Sequence, residues 1–293
     1  MKKAPFTGSA VALVTPFTND GIDFKKLDEL LEFHIENKTD AIVVCGTTGE
    51  CSTMPDEEHM AVIKHSVEKV AGRVPVIAGT GSNDTKHAIK LCKYADEVGC
   101  DGLLVVTPYY NKTTQKGLVE YYKAIAESVS IPLILYNIPG RTGVAISLDT
   151  FKALDKIPNI VGVKEASGDL SFAAKIAAET DLVIYSGNDD IIVPIMSIGG
   201  KGVISVLANI LPEETHNICA DFMAGDVEKS KDEFLKYLDL INTLFVEVNP
   251  MPIKTAMNIL GYNVGPLRAP LCDMEDKNVE KLKAALKGAG LSF

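Results

Sequence analysis

Asn159-Ile-Val-Gly-Val-Lys-Glu-Ala-Ser167 sets four small or β-branched apolar residues in a row and then a lysine. An uninterrupted apolar run of this length reads as a strand buried on both faces, and such strands belong to parallel sheets with helical crossovers. Working outward, seven similar runs follow the same rule: Ser9–Phe17, Ala41–Gly46, Val74–Gly79, Gly102–Pro108, Pro132–Ile138, Leu182–Ser186 and Gly202–Leu207. Between them lie amphipathic segments of helical length: Asp23–Asn37, Pro55–Val70, Thr85–Val98, Thr114–Val129, Ser147–Leu154, Leu170–Thr180 and Asp190–Ile198. Asp56 and Thr85 stand near helix starts, where a side-chain oxygen can take an open amide, and Gly72 and Gly99 follow helix ends. Eight strand–helix units predict an α/β fold of the closed (β/α)8, or TIM-barrel, kind. The competing open sheet signals itself with a GxGxxG turn after the first strand, and Val14-Thr-Pro-Phe-Thr-Asn-Asp-Gly21 has none. From Pro212 onwards the pattern is helical, with segments at Asp226–Val248, Pro252–Leu260 and Lys277–Leu286. The expected organisation is a barrel over residues 1–224 and a C-terminal helical extension over 225–293 packed on it as one structural unit.

Composition sets the bounds. The chain has 293 residues, 46% hydrophobic and 23% charged, as a globular protein with a large core has. Its net charge of −10 argues against nucleic-acid binding. Cys45, Cys51, Cys92, Cys100, Cys219 and Cys272 form no CxxC pair and read as free thiols of a reducing compartment. The apolar run Ala10–Val14 is too short for a secretory signal, and no stretch approaches a membrane span, so a cytoplasmic protein without a membrane partner is expected.

A lysine closing a buried strand loses the hydration its charge requires. Desolvation lowers its pKa, and a neutral amine attacks carbonyl carbon to form an imine. Taken alone, Lys164 could equally be a strand-end lysine that reaches water. The other strand ends argue otherwise, because chemistry in such a barrel gathers at the carboxyl ends of the strands. There the sequence places Gly46-Thr-Thr-Gly-Glu50, Thr107-Pro-Tyr-Tyr-Asn111, Tyr136-Asn-Ile-Pro-Gly-Arg-Thr142 and Ser186-Gly-Asn-Asp-Asp190. Strand alternation puts Tyr136 on the face of Ile134 and Lys164 on the face of Gly162, which would leave room for the lysine stem. If those faces point inward, a phenol and an amine converge at the barrel mouth. Asn188-Asp-Asp190 could ligate a metal, but polar residues before a helix more often cap it. The histidines form no HExxH motif, and there is no phosphate-binding or nicotinamide fingerprint. No metal and no cofactor are expected.

These motifs together resemble the 4-hydroxy-tetrahydrodipicolinate synthase (dihydrodipicolinate synthase) family of class I pyruvate-dependent aldolases. The likeness runs from Gly8 to Asn249-Pro-Met-Pro-Ile-Lys254. The resemblance implies a (β/α)8 barrel that condenses pyruvate with aspartate 4-semialdehyde in the diaminopimelate route to lysine. It implies that Lys164 forms the imine, that Tyr136 is the acid–base group, and that Thr47 and Tyr110 complete its proton relay. Tyr110 would come from a neighbouring subunit, in a homotetramer built as a dimer of dimers. Thr48 would hold the pyruvate carboxylate, Arg141 the semialdehyde carboxylate, and Gly187 and the Ile204 carbonyl would line the mouth. Glu50 is read as structural. N-acetylneuraminate lyase or a keto-deoxy-sugar acid aldolase is the sister alternative, and such lyases typically lack an arginine at the position of Arg141. A non-catalytic metabolite-binding regulator would keep the carboxylate site but lose Lys164 or Tyr136. The same resemblance places a lysine effector site at Cys51, Met54, Asp56, His59, Asn83, His87 and Tyr109. Asp56 stands where sensitive members often carry His, and His87 where they carry Glu, so weak sensitivity to lysine is expected.

Overall fold

The computed structural model describes residues 2–293. Eight parallel strands close on themselves: β1 (Gly8–Ala12), β2 (Ala41–Val44), β3 (Val76–Gly79), β4 (Gly102–Val106), β5 (Leu133–Asn137), β6 (Ile160–Glu165), β7 (Val183–Ser186) and β8 (Gly202–Ser205). Closure is made by β1, which pairs with β2 through Ala10 and Ala41 and with β8 through Gly8 and Gly202. All eight expected strands are present, and the barrel is the expected one.

Two apolar layers result from the strand alternation. Inside the barrel pack Phe6, Ala10, Val43, Ile77, Leu104, Ile134, Tyr185 and Ile204, with Tyr136 above them. Phe6 stacks on Tyr185 at 4.3 Å and its carbonyl accepts the Tyr185 hydroxyl at 2.7 Å, plugging the interior with aromatic bulk. The opposite strand faces meet the surrounding helices in a second, larger cluster.

The strands stop earlier than the apolar runs suggest, because side chains take over the backbone groups. β1 ends at Ala12, after which Asn209 Oδ1 accepts the Val14 amide and Thr15 Oγ1 donates to the Gly49 carbonyl. Phe17 and Thr18 instead form a short antiparallel pair with Gly21 and Ile22. Two expected caps are also corrected. Pro55, not Asp56, precedes the helix Asp56–Val70, and Asp84, not Thr85, caps the helix Thr85–Glu97 by accepting the Lys86 amide. Asp56 turns its carboxylate to His87 and Lys90 instead. Ala71, ahead of Gly72, is the first left-handed residue after its helix.

The expected helix Asp226–Val248 is two helices, Val227–Lys236 and Leu238–Thr243. Residues 244–250 then run irregularly to the helix Met251–Ile259. That interruption lets Phe245 and Asn249 reach the barrel mouth.

Gly202 shows how tightly the barrel closes. It adopts φ of +144°, and a Cβ there would lie 1.8 Å from the Gly8 carbonyl oxygen. Gly202→Ala is therefore expected to cost about 2 kcal/mol or more, from backbone strain and clash together. Urea unfolding measures it, and an unchanged midpoint would refute this account of closure.

Candidate active site

Strand pairing alone brings the two principal groups together. Tyr136 and Lys164 are register partners on β5 and β6, and the Lys164 ammonium sits 4.6 Å from the Tyr136 ring centroid. Both lie at the floor of a cavity of about 370 Å³ that opens at the carboxyl ends of the strands, walled by Thr47, Thr48, Arg141 and Gly187. The room beneath the lysine is not left for its stem. A Cβ on Gly162 would meet the Val183 carbonyl at 2.6 Å and the Tyr185 ring at 3.5 Å, so the glycine admits the neighbouring strand.

Burial sets the electrostatics. Lys164 is 6% exposed, and desolvation pulls its pKa from 10.5 down to about 8. Asp189 opposes that fall and Arg141 adds to it. Asp189 does not cap the following helix, as the sequence suggested. It is buried, and its Oδ2 accepts the Val206 and Leu207 amides at 2.9 Å, tying the β7 loop to the end of β8. Burial pushes Tyr136 up to about 12, while the Arg141 charge and a hydrogen bond with Thr47 pull against it. At neutral pH the phenol keeps its proton, and roughly a tenth of Lys164 is free amine. An amine poised to attack a carbonyl thus lies beside a phenol able to give and take protons.

The Thr47–Thr48 turn is held by unusual backbone and a buried ion pair. Cys45 and Glu50 flank it with φ of 55° and 54°, in the left-handed region. A Cβ on Gly79 would come within 2.3 Å of the Cys45 carbonyl, so β3 must carry glycine where the turn swings past it. Glu50 Oε1 then accepts from the Lys254 ammonium at 2.7 Å, with the two side chains 0% and 1% exposed, and Glu50 Oε2 accepts the Arg268 amide. Asn249 Nδ2 donates to Thr48 Oγ1 at 2.9 Å, and the Asn249 carbonyl accepts from Arg141 at 3.0 Å.

Of the residues read from sequence, Lys164, Tyr136, Thr47, Thr48, Arg141 and Gly187 share this cavity. Ile204 packs in the barrel interior below, and Val206 lines the wall instead. Tyr110 stands apart, 90% exposed with φ of 70°. Cys51, Met54, Asp56, His59, His87 and Tyr109 line a second cavity of about 340 Å³, which shares Thr47, Ile138 and Arg141 with the first. Asn83 lies at its edge, bonded through its backbone to Tyr109 and Asn111. Sequence reading missed Asn249, Lys254 and Asp189 as parts of the site. The signal for the first two was a polar residue and a lysine inside the Pro-rich apolar segment Asn249–Lys254. Among the described residues no His, Cys, Asp and Glu cluster could hold a metal, and no helix is long and apolar enough to cross a membrane. All six cysteines are free.

A barrel whose mouth joins a desolvated lysine and a buried phenol in one cavity has the parts of an imine-forming lyase. The chain matches the dihydrodipicolinate synthetase family over residues 5–289 and belongs to that family. It is 59% identical over 290 residues to the 4-hydroxy-tetrahydrodipicolinate synthase of Caldicellulosiruptor saccharolyticus, covering 98% of each chain. It is 57% identical over 291 residues to that of Acetivibrio thermocellus, covering 99% of this chain and 100% of the other. Among solved structures it resembles the chloride-inhibited dihydrodipicolinate synthase of Acinetobacter baumannii complexed with pyruvate. There the TM-score is 0.95 at 47% identity, over 98% of this chain and 99% of that one.

The Lys164 shift fixes a pH dependence. Below pH 8 the native state carries a buried ammonium. Between about 8 and 10.5 the native lysine is neutral while the unfolded chain still binds the proton, so stability rises with pH across that window. At about 1.4 kcal/mol per pH unit, the burial costs about 3 kcal/mol at pH 7. Lys164→Met should therefore be more stable by about that amount at pH 7 in urea unfolding, with the gain fading towards pH 10.5. A pH-independent difference would show that the lysine is not strained.

Proposed function

We propose that this protein is a lyase that condenses pyruvate with L-aspartate 4-semialdehyde to 4-hydroxy-tetrahydrodipicolinate, in the diaminopimelate route to lysine. The observation that carries the reading is the desolvated Lys164 beside Tyr136 in a cavity that also holds Arg141 and the Thr47–Thr48 turn. Family membership and the pyruvate complex of the Acinetobacter baumannii relative support it.

The residues act as follows. Neutral Lys164 attacks the ketone carbon of pyruvate, and Tyr136 passes a proton to the departing hydroxyl so that water leaves and the imine remains. Tyr136, now a phenolate, takes a methyl proton to give the enamine, whose carbon adds to the aldehyde, and returns that proton to the new alkoxide. The free amino group of the semialdehyde then adds to the imine carbon, closing the ring and expelling the Lys164 amine. Thr47, hydrogen-bonded to Tyr136, carries the proton onward. Thr48 and the amides of its turn hold the pyruvate carboxylate. Arg141 grips the semialdehyde carboxylate, a planar fork matched to a planar anion. Its presence in the cavity favours this substrate over the polyhydroxylated chains of sugar-acid lyases. Gly187 and the Ile204 carbonyl complete the mouth in this scheme.

An exposed Tyr110 in the left-handed region suits a residue offered to a neighbouring subunit, and a homotetramer of two tight dimers is the proposed assembly. Sedimentation showing only monomers at full activity would remove Tyr110 from the relay. Residues 225–293 act with the barrel as one unit in this reading, since Asn249, Lys254 and Arg268 bond directly to the Thr48–Glu50 turn.

Borohydride with pyruvate is expected to trap an adduct on Lys164 that Lys164→Ala abolishes. Tyr136→Phe should lower turnover by roughly two or more orders of magnitude. Arg141→Ala should impair the aldehyde step more than imine formation. The coupled assay with both substrates, run beside one with N-acetylneuraminate, decides the reading. Cleavage of the sugar acid without condensation would replace it.

The second cavity bears on regulation. Asp56 accepts from His87 at 2.8 Å and from Lys90 at 2.6 Å, and Lys90 first, then His87, hold its carboxyl below its usual range. That charge is already matched within the protein, and His87 supplies no anion for an incoming ammonium. Sub-millimolar lysine is expected to leave the condensation rate unchanged, and His87→Glu to introduce inhibition. A native enzyme inhibited in that range would overturn the charge argument.

A further inference from the structure

The cavity that Lys164 and Tyr136 share holds about 370 Å³, and Ala12, Val43, Leu104, Ile138, Ala166 and Val206 give it much of its wall. Arg141 stands at the same cavity, tied to the Asn249 carbonyl through Nη2. A protonated imine on a lysine pulls electrons from a bond on the neighbouring carbon. The bond can be one to hydrogen or one to carbon, provided that it lies along the π system of the imine. Condensation needs the new carbon–carbon bond in that direction, so the site that makes the bond also orients it.

We propose that the same site decarboxylates 2-oxo acids carrying a second carboxylate on C3, of which oxaloacetate is the simplest. The proposal rests on the imine reading above and adds an activity to it. The 1-carboxylate and ketone of oxaloacetate are those of pyruvate and take the same places. Its C4 carboxylate then stands where the aldehyde carbon stands during condensation, on a bond already aligned for breaking. Space suffices, because a cavity that holds pyruvate together with a four-carbon aldehyde holds oxaloacetate alone. Arg141 draws the dianion in. In the semialdehyde, however, the carboxylate that Arg141 grips lies three bonds beyond the reacting carbon. The C4 carboxylate stops short of that grip and rests against apolar side chains, where a carboxylate is disfavoured and neutral CO2 is not.

The step balances without a redox partner. Neutral Lys164, available because burial holds its pKa near about 8, attacks C2. Tyr136 gives its proton to the departing hydroxyl, and water leaves a protonated imine. The C3–C4 bond breaks, its electron pair forms the enamine, and C4 departs as CO2. A proton from solvent, passed through Thr47 and Tyr136, adds to C3. Hydrolysis then returns pyruvate and the free amine. In sum, one oxaloacetate and one proton give pyruvate and CO2, with the electron pair kept in the new C–H bond.

The test follows oxaloacetate loss and CO2 release at pH 7, with a chelator present to suppress decarboxylation by stray metal ions. Two preparations set the background. One is Lys164→Ala, which keeps every other lysine. The other is native enzyme whose Lys164 has been reduced onto pyruvate with borohydride, and it serves alone if the variant fails to fold. Unblocked native enzyme should exceed both by about tenfold or more. Arg141→Ala should lose more of the condensation than of the decarboxylation. Native enzyme that condenses its two substrates yet releases CO2 no faster than the blocked enzyme overturns the proposal and leaves the condensation reading standing. An equal or larger loss of decarboxylation in Arg141→Ala overturns the placement of the C4 carboxylate, and the proposal with it. Decarboxylation without condensation keeps this activity and removes the condensation reading. Native enzyme that traps neither pyruvate nor oxaloacetate removes both.

Discussion

Lys254 and Glu50 meet where water does not reach, and the geometry of the mouth depends on that contact. Removing one partner of such a pair leaves an uncompensated buried charge, typically a penalty of 3–5 kcal/mol, whereas the pair itself adds little net stability. Its role is positional. Glu50 ends the Thr47–Thr48 turn with a left-handed backbone, and both of its carboxylate oxygens are engaged by the C-terminal segment. The Lys254 ammonium also bonds to the Pro266 carbonyl at 2.7 Å and lies 4.5 Å from the Phe17 ring centroid. Arg268 covers the same ring and pairs with Glu58. Three distant parts of the chain therefore converge on one turn, whose two threonines line the cavity.

Against that fixed wall, the floor of the cavity is set by opposing environments. The same desolvation that lowers Lys164 raises Tyr136, so amine and phenol are both driven towards their neutral forms. Neutral forms suit imine chemistry, in which a nucleophilic nitrogen and a proton donor must coexist at one pH. Asp189 limits the effect on the lysine without contacting it through a hydrogen bond. Its Oδ2 is occupied by the Val206 and Leu207 amides just after the last strand, so its position is tied to the end of β8.

The barrel was legible because parallel strands covered on both faces are written as unbroken apolar runs, and eight such runs leave few topologies. Lys164 and Tyr136 were legible for the same reason: each is a polar interruption at a strand's end, and register places them side by side. The strand ends themselves were less clear. What stops β1 at Ala12 is Asn209, nearly two hundred residues away, and no local pattern encodes that contact. Asp189 misled in the same way, since an acid before a helix looks like a cap until the Val206 and Leu207 amides are seen to claim it. Asn249 carried no periodic signal at all. It sits just past the end expected for the helix Asp226–Val248, in an irregular stretch, and its partners Thr48 and Arg141 lie more than a hundred residues earlier.

The bonds between the Thr48–Glu50 turn and residues 249–268 also impose an order of assembly. A chain emerging amino terminus first has all eight strands available once Ser205 is out, and could close its sheet at that point. Thr48, Glu50 and Arg141 would by then be in place, yet each would lack a partner that is still to be synthesised. Domains generally fold as units during synthesis, but here the site is finished by residues 249–268, well after the last strand. A nascent barrel would hold its lysine and its phenol while the Thr48 turn and Arg141 still lacked these partners. The wall of the mouth is thereby finished only after the barrel that carries it, when residues 249–268 have been added.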